Sequence, residues 1–375
     1  MKRARVLMTG AAVTLSLSLS LGAAACTSGV TPPPRASTAR ASAASASAAA
    51  ALHGPAAAKP LSPLVVGVNL YLNKNYPIAQ VEDFGARDLK YIARTLKLKA
   101  VSIAWDYNVP SPSSDTVTAS ASRTPTIADL AALTSIARSY GLRVEYRVLY
   151  AVNNSDSRGG SIQPINLNAW LNSLLTAEAP ALELAQREHV SEFIAGTEMV
   201  SIDQSPLWGG FFARAARIFH GTLSYASWGG RSGLGGFFSP RRRLLPLGYF
   251  GASAYPPVDL PPTASVAQLT AAWVAFLRQA PARLLRLTAL DEVGIPAVAG
   301  AYRAPYRWDG LGHPRLDPAI QANWYKAACL AADLVHVRAI YFWSAVLSSD
   351  PASTRPSLEG FEGHQATEAA IRSCS

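Results

Sequence analysis

The feature that most constrains the fold of this chain is an alternation, from residue 63 onward, of short apolar runs with longer amphipathic segments. Such alternation is typical of βα units whose strands form a parallel sheet. About eight units can be counted. The predicted strands span residues 64–69, 100–105, 143–149, 193–197, 222–227, 249–254, 287–291 and 339–343.

Helical patterns occupy most of the intervals between these strands. Thr126, with Asp129 three residues later, predicts a capped helix start. The interval after the fifth strand has the weakest helical pattern, because 229–238 is rich in glycine and resembles a loop. Eight units within one uninterrupted stretch of 313 residues predict an α/β fold, a single (β/α)₈ or TIM barrel over 63–375. The predicted helices span residues 81–96, 126–140, 167–188, 207–219, 265–279 and 318–335.

The start of the chain has the pattern of a secretory signal. Basic residues in the first five positions precede an apolar run over 6–21, and small residues over 22–25 lead to Cys26. The run is shorter than the roughly 20 residues that a membrane span needs. We therefore predict a signal peptide over 1–26. Its end is similar to a bacterial lipobox, in which Cys26 would carry the lipid; the alternative is an ordinary signal cleaved nearby.

Residues 27–62 are almost entirely Ala, Ser, Thr and Pro, and contain no acidic residue. Such a segment buries too little apolar surface to offset the entropy of ordering, so we expect a disordered linker. The chain is thus expected to be exported, either as a lipoprotein of the cell envelope or as a secreted protein. Its only expected membrane contact is the lipid anchor.

The net charge of +10 does not indicate a nucleic-acid partner. Residues 1–62 contain six basic residues and no acidic one, which leaves +4 for the rest of the chain. The one dense basic run, 241–243, follows a proline and reads as a solvated loop. We expect no nucleic-acid binding, and we expect a monomer.

Two predicted strands end in a glutamate. Glu198 follows 193–197 and Glu292 follows 287–291. In a (β/α)₈ barrel the carboxyl ends of the strands converge on the face that carries the active site. Hydrolysis of a glycosidic bond needs two carboxyl groups. Either glutamate alone reads equally well as a solvated rim residue, but the pair predicts glycoside hydrolysis.

Other chemistries find little support in the sequence. The six histidines form no metal-ligand spacing, and no zinc, redox or phosphate-binding motif is present, so we expect no metal and no cofactor. Besides Cys26 the chain has Cys329 and Cys374. In an oxidising compartment these two either pair or remain independent thiols.

Three segments carry a resemblance to a known family. They are Gly-Thr-Glu-Met at 196–199, Gly-Ala-Ser-Ala-Tyr-Pro-Pro at 251–257 and Asp-Glu-Val-Gly at 291–294. They resemble the clan A glycoside hydrolases, most nearly family 113, the endo-β-1,4-mannanases. The stretch 300–308 also looks like that family's loop after the nucleophile, and the resemblance covers about 64–345.

The resemblance implies roles for individual residues. Glu198 would be the acid/base and Glu292 the nucleophile of a retaining double displacement. Tyr255 matches a tyrosine whose hydroxyl binds the nucleophile, and Trp343 matches an aromatic floor of the sugar site.

Five further residues are candidates for binding sugar. An aromatic face suits the apolar face of a pyranose ring, although packing in the core is the alternative for each tryptophan. Polar side chains near the barrel mouth either bind sugar hydroxyls or satisfy backbone groups. The candidates are Trp105, Trp228, Trp308, Asn69 and Arg147.

Two positions depart from the family pattern. Asp291 stands where the resemblance implies Thr, and it either places a charge beside Glu292 or faces a helix. Ser253 stands where the family often has an acidic residue. The sequence predicts a retaining endo-β-glycosidase acting on β-1,4-mannan or glucomannan. The alternatives are another β-glycan or cell-wall polysaccharide as substrate, because fold and catalytic pair do not define the sugar, and a catalytically silent glycan-binding lipoprotein.

Overall fold

Eight parallel strands close into a barrel in the order in which they occur along the chain. This confirms the predicted (β/α)₈ fold. The structure, a computed structural model, describes residues 63–155, 159–230, 250–308, 315–348, 351 and 357–374. The strands are β1 (Val65–Leu72), β2 (Ala100–Val109), β3 (Arg143–Val152), β4 (Glu192–Thr197), β5 (Thr222–Gly229), β6 (Phe250–Ala254), β7 (Thr288–Val293) and β8 (Ala339–Val346).

Helices surround the barrel in the predicted intervals. None of those that the structure describes is long and apolar enough to cross a membrane. The predicted signal peptide with Cys26, the linker over 27–62 and the basic run 241–243 lie outside the described residues. The helices are α1 (Ile78–Lys90), α2 (Ile127–Ser139), α3 (Leu167–Arg187), α4 (Trp208–Ala215), α5 (Val266–Leu277), α6 (Ala282–Leu285), α7 (Pro318–Leu334) and α8 (Gln365–Arg372).

Local sequence signals explain where several helices begin. The Thr126 hydroxyl accepts a hydrogen bond from the Asp129 backbone N–H, and the Asp129 carboxylate accepts one from the Thr126 backbone, which confirms the predicted capping box. Ser265 and Gln268 form the same arrangement at the start of α5. These caps satisfy backbone groups that the first turn of a helix leaves without a partner.

The second and third strands are longer than predicted. They continue to Val109 and Val152. On β2 the polar Asp106 lies within the strand, and its carboxylate accepts a hydrogen bond from the Tyr71 hydroxyl. The apolar run in the sequence ends at Trp105, so hydrophobicity alone places the boundary too early. The extra residues carry β2 and β3 into the mouth of the barrel.

The two faces of each strand meet different surroundings. On β3, Val144, Tyr146 and Val148 belong to the apolar core that packs against the helices, whereas Glu145 and Arg147 between them are buried outside that core. Arg147 contacts β6 and β7, which are not neighbours of β3 in the sheet, so its side chain crosses the barrel interior. The interior is therefore polar, unlike the branched apolar layers usual in this fold.

A disulfide joins the end of the chain to the barrel wall. Cys329 lies on α7, Cys374 follows α8, and the two are bonded with their Cα atoms 5.4 Å apart. Of the two alternatives expected from the sequence, this confirms that the cysteines pair.

We expect Cys374→Ser to lower the free energy of unfolding by about 2–4 kcal/mol, because the loop closed by the disulfide is then free in the unfolded chain. Thermal unfolding with and without dithiothreitol measures the effect. The reductant should lower the Tm of the unaltered protein and leave that of the variant unchanged. If the reductant left the Tm of the unaltered protein unchanged, the structural role of this disulfide would be contradicted.

Candidate active site

A cavity of about 970 Å³ opens at the carboxyl ends of the barrel strands. It contains both predicted catalytic glutamates and four of the predicted aromatic residues. Its lining is Tyr71, Asn73, Arg123, Leu149, Glu198, Trp228, Tyr255, Glu292, Tyr306, Trp308, Trp343, Ser344, Val346, Glu359 and Gly360.

Glu292, near the end of β7, is held by two donors from other strands. The Arg147 guanidinium on β3 lies 2.7 Å from its Oε2, and the Tyr255 hydroxyl, just after β6, donates to its Oε1 at 2.5 Å. Burial and then the negative charge of Glu292 raise the pKa of Tyr255 well above its usual value, so the hydroxyl stays protonated as a donor. One carboxylate oxygen is thus fixed by an ion pair and the other by a hydrogen bond.

Glu198 directly follows β4 and is partly exposed to the cavity. Its φ of 57° lies in the left-handed region, which non-glycine residues adopt rarely and often at functional sites. Its backbone N–H donates to the Ala226 carbonyl at 2.8 Å, which ties the turn to β5. The negative charge of Glu198 also raises the pKa of Tyr255. The charges of the two glutamates, one after β4 and one on β7, therefore both raise the pKa of the same hydroxyl.

The turn that carries Glu198 is shaped by a close contact with β5. A Cβ on Gly196 would lie 2.5 Å from the Tyr225 ring, so only glycine leaves room for this ring. The Tyr225 hydroxyl in turn accepts a hydrogen bond from the Met199 backbone N–H at 3.2 Å. The Gly-Thr-Glu-Met segment is thus held on both sides of its glutamate.

Aromatic rings form two groups in the cavity. The Trp228 ring stacks on the Tyr255 ring with centroids 5.6 Å apart, and the Trp308 ring meets Tyr255 edge-on. In the other group the Trp343 ring lies 5.2 Å from the Tyr71 ring, and a cis peptide follows Trp343. The three tryptophans are partly exposed to the cavity, where their faces are available to a ligand. Their contact with sugar stays a prediction.

Two predicted sugar-binding residues instead lie beneath the cavity. Asn69 and Arg147 are fully buried. The Asn69 amide and one Arg147 nitrogen donate to the Asp291 carbonyl, at 3.0 and 2.6 Å. Of the two expected roles, they fulfil the one of satisfying backbone groups at the barrel mouth, and Arg147 also binds the Glu292 carboxylate.

The prediction that Trp105 forms part of the cleft wall is wrong. Its side chain is fully buried and packs edge-on against Tyr146 and Phe193 in the core beneath the helices. Side chains alternate along a strand, and the neighbouring Asp106 faces the barrel interior, so Trp105 must face outward.

Several cavity residues were not singled out from the sequence. Tyr71 lies two residues after Asn69 on the same face of β1, so the period of two along a strand contained a signal for it. Arg123 and Glu359 lie in loops where no periodicity applies. The sequence contained no signal for these two residues.

Three carboxyl groups lie inside the barrel beneath the cavity. Burial raises the pKa of Glu145 to about 7, an effect that Tyr341 and Arg143 partly offset. Burial and then the charge of Glu145 raise the pKa values of Glu192 and Asp291 well above their usual ranges. The Asp291 carboxyl lies against Gly251 of β6 in the barrel interior and does not face a helix, and the charge of Glu292 is one of the causes that raise its pKa.

No group of three or more His, Cys, Asp or Glu side chains within the described ranges is arranged to hold a metal ion. The described lining of the cavity contains carboxyl, guanidinium and phenol groups. Two carboxyl groups on opposite strands, with one of them fixed by a cation, form an arrangement suited to acid/base and nucleophilic work on one bond.

Comparison with known proteins identifies the family of the chain. The sequence model of Glycoside Hydrolase Family 113 matches residues 81–352, well over half of the chain. The chain belongs to glycoside hydrolase family 113. It is therefore a glycoside hydrolase, as the paired glutamates and the resemblance predicted. No curated protein sequence matches it.

Solved structures share the fold of this family 113 chain at low sequence identity. The family 113 β-mannanase AaManA from Alicyclobacillus acidocaldarius is 18% identical with a TM-score of 0.66, and the match covers 84% of this chain and 97% of that one. Another family 113 β-1,4-mannanase is 16% identical with a TM-score of 0.69, covering 84% and 99%. A family 5 enzyme from Streptomyces cattleya, 16% identical, covers 84% and 80% with a TM-score of 0.52.

The interior carboxyl groups predict that the family 113 barrel loses stability as pH rises. Glu145 binds its proton more tightly in the folded than in the unfolded chain, so unfolding becomes easier as pH rises from the ordinary value of 4.5 to about 7. The raised pKa values of Glu192 and Asp291 lower the stability in the same direction as pH rises. The charged or titratable groups around the three carboxyl groups are Arg143, Arg147, Arg338, Tyr341 and Glu292.

Thermal unfolding between pH 4.5 and 7.5 tests this. The Tm should fall across the window, and Glu145→Gln should reduce the slope, because its amide carries no titrating proton. The exposed Glu82→Gln on α1 is the matched control and should keep the original slope. A Tm that rises across the window would refute the prediction.

Proposed function

We propose that this chain is a retaining endo-β-glycosidase that cleaves β-1,4-mannan or glucomannan, with Glu198 as the acid/base and Glu292 as the nucleophile. The observation that carries the proposal is the position of both glutamates in one cavity, at the carboxyl ends of β4 and β7, with Glu292 held between Arg147 and Tyr255.

The surroundings of the two glutamates support different roles. Glu292 is buried and paired with a guanidinium, which suits a carboxylate that must be ionised and aimed at the anomeric carbon. Glu198 is more exposed, as befits a group that exchanges protons with a leaving oxygen and then with water. Two carboxyl groups in these roles are the set that retaining glycoside hydrolysis requires.

The proposed reaction has two steps. Glu292 attacks the anomeric carbon while Glu198 gives its proton to the departing glycosidic oxygen, which leaves the sugar bonded to Glu292. Glu198 then takes a proton from water as that water attacks the same carbon, which frees the sugar and restores both groups. Tyr255 keeps its hydrogen bond to Glu292, which holds the nucleophile in line.

The choice of mannan rests on family membership and on the names of the two β-mannanases that share the fold. Another β-glycan remains the competing substrate, because Ser253 occupies the position where the resemblance implies an acidic residue. Its hydroxyl accepts a hydrogen bond from Arg147 at 2.9 Å, so here it serves the catalytic framework.

Release of reducing sugar from mannan, glucomannan, β-glucan, xylan and arabinogalactan tests the substrate and the catalytic pair together. We expect activity on mannan or glucomannan, and a loss of about 1000-fold or more in Glu292→Gln, because the amide cannot act as a nucleophile. Glu183→Gln, an exposed substitution on α3, is the matched control and should keep full activity. Cleavage of only another polymer would replace mannan as the substrate; undiminished activity in Glu292→Gln would refute the catalytic assignment.

Proton NMR of the first product tests the stereochemistry. Because the proposed route inverts the anomeric centre twice, the β-linked substrate should release the β-anomer before mutarotation. The initial appearance of the α-anomer would show a single displacement and would remove the nucleophile role from Glu292.

A further inference from the structure

The cavity extends beyond Trp343 to a polar group at the ends of β1 and β2. The Trp343 ring neighbours the Tyr71 ring, and the Tyr71 hydroxyl donates to Asp106 Oδ2 at 2.5 Å. The Arg123 guanidinium lies 3.4 Å from the same oxygen. We call Tyr71, Asp106 and Arg123 the β1–β2 group. It leads away from Glu292 along one wall of the cavity.

Arg123 is mounted on a firmly held loop. Neighbouring Thr124 donates its hydroxyl to the Asp106 carbonyl at 2.7 Å, and Ser120, at the start of the turn, bonds to Asn154 after β3 at 2.8 Å. The backbone N–H of Asn75 after β1 donates to the Ser122 carbonyl at 2.8 Å. Hydrogen bonds to β2 and to the segments that follow β1 and β3 thus fix this loop, so the Arg123 guanidinium is positioned before any ligand arrives.

The charges of the cavity select the kind of ligand that this end can take. Arg123 lines the cavity with 18% of its side chain exposed, whereas its partner Asp106 is fully buried. The pair is neutral overall, and the other charged residues of the lining are Glu198, Glu292 and Glu359. Within the described lining, an acidic sugar would meet these three carboxylates, and Arg123 is the one cation there, already paired with Asp106. Neutral hydroxyl groups suit the site better.

The size of the cavity allows a second sugar unit. A volume of about 970 Å³ lies at the upper end of the range for ligand pockets, which is more than one pyranose ring fills. A guanidinium has five N–H donors, so an arginine paired with a carboxylate can still donate to a hydroxyl. Its planar geometry allows two parallel hydrogen bonds to neighbouring hydroxyls.

We propose that Arg123, positioned by Asp106 and Tyr71, is a specificity-determining residue that binds the hydroxyls of a neutral hexose unit next to the unit over Trp343. The inference rests on the proposed function, since it assumes that the cavity holds a β-linked oligosaccharide. It assigns to Arg123 a part in binding the chain of the substrate and no part in breaking the bond.

The test compares a short and a long ligand. The substrates are 4-nitrophenyl β-D-mannopyranoside, which has one sugar unit, and β-1,4-mannotetraose. For Arg123→Met we expect kcat/KM on the tetraose to fall about 10-fold to 100-fold, the range for a hydrogen bond to a charged group, with the monoglycoside changed less than twofold. Arg123→Lys keeps the charge but lacks the planar donors and should lie between. Arg303→Met, an exposed arginine paired with Asp259, is the matched control.

Calorimetric titration of the same variants with mannotetraose and cellotetraose runs in parallel. It measures the binding affinity of a tetraose that the protein does not cleave. An equal loss on both substrates, or no loss on the tetraose, would overturn the inference. If the unaltered protein cleaves neither substrate, the proposed function fails. In that case a tenfold weaker binding of either tetraose by Arg123→Met supports the inference, and unchanged binding or none rejects it.

Discussion

The active site depends on one buried cation. Arg147 starts on β3, crosses the barrel and binds the Glu292 carboxylate, the Asp291 carbonyl and the Ser253 hydroxyl on β6 and β7. Burial of a guanidinium or of a carboxylate is costly unless an opposite charge lies beside it, and the Arg147–Glu292 ion pair supplies that charge to both groups. The two charges therefore fix each other across the barrel mouth.

The polar barrel interior follows from the same requirement. The charged Arg147 side chain inside the barrel needs polar surroundings. The buried carboxyl groups of Glu145, Glu192 and Asp291 supply them. With protons bound, these three add no negative charge that would compete with Glu292 for the arginine. Gly251 belongs to this arrangement, because a Cβ there would overlap the Asp291 carboxyl. The barrel interior thus combines small apolar clusters with these carboxyl groups beneath the site.

The sequence predicted the order of elements and the position of Glu198 and Glu292 at the barrel mouth, because both are local signals: apolar runs define strands, and a glutamate at a strand end lies at the mouth. It did not reveal the direction in which Trp105 points or which groups Arg147 binds, since these depend on strand register and on contacts across the barrel. Arg123 was missed because its loop has no periodicity and is held by hydrogen bonds to β2 and to the segments that follow β1 and β3.

The disulfide between Cys329 and Cys374 also bears on the cavity. The segment between these cysteines includes Glu359 and Gly360, which line the cavity wall on the side of β8. A disulfide forms only where thiols can be oxidised. In a reducing compartment this part of the wall is held by noncovalent contacts, such as the hydrogen bonds from the Gln321 amide to the Glu359 and Gly360 carbonyls, whereas in an oxidising one the disulfide adds a covalent tie. Completion of the binding cleft is thereby linked to the redox state of the place where the chain folds.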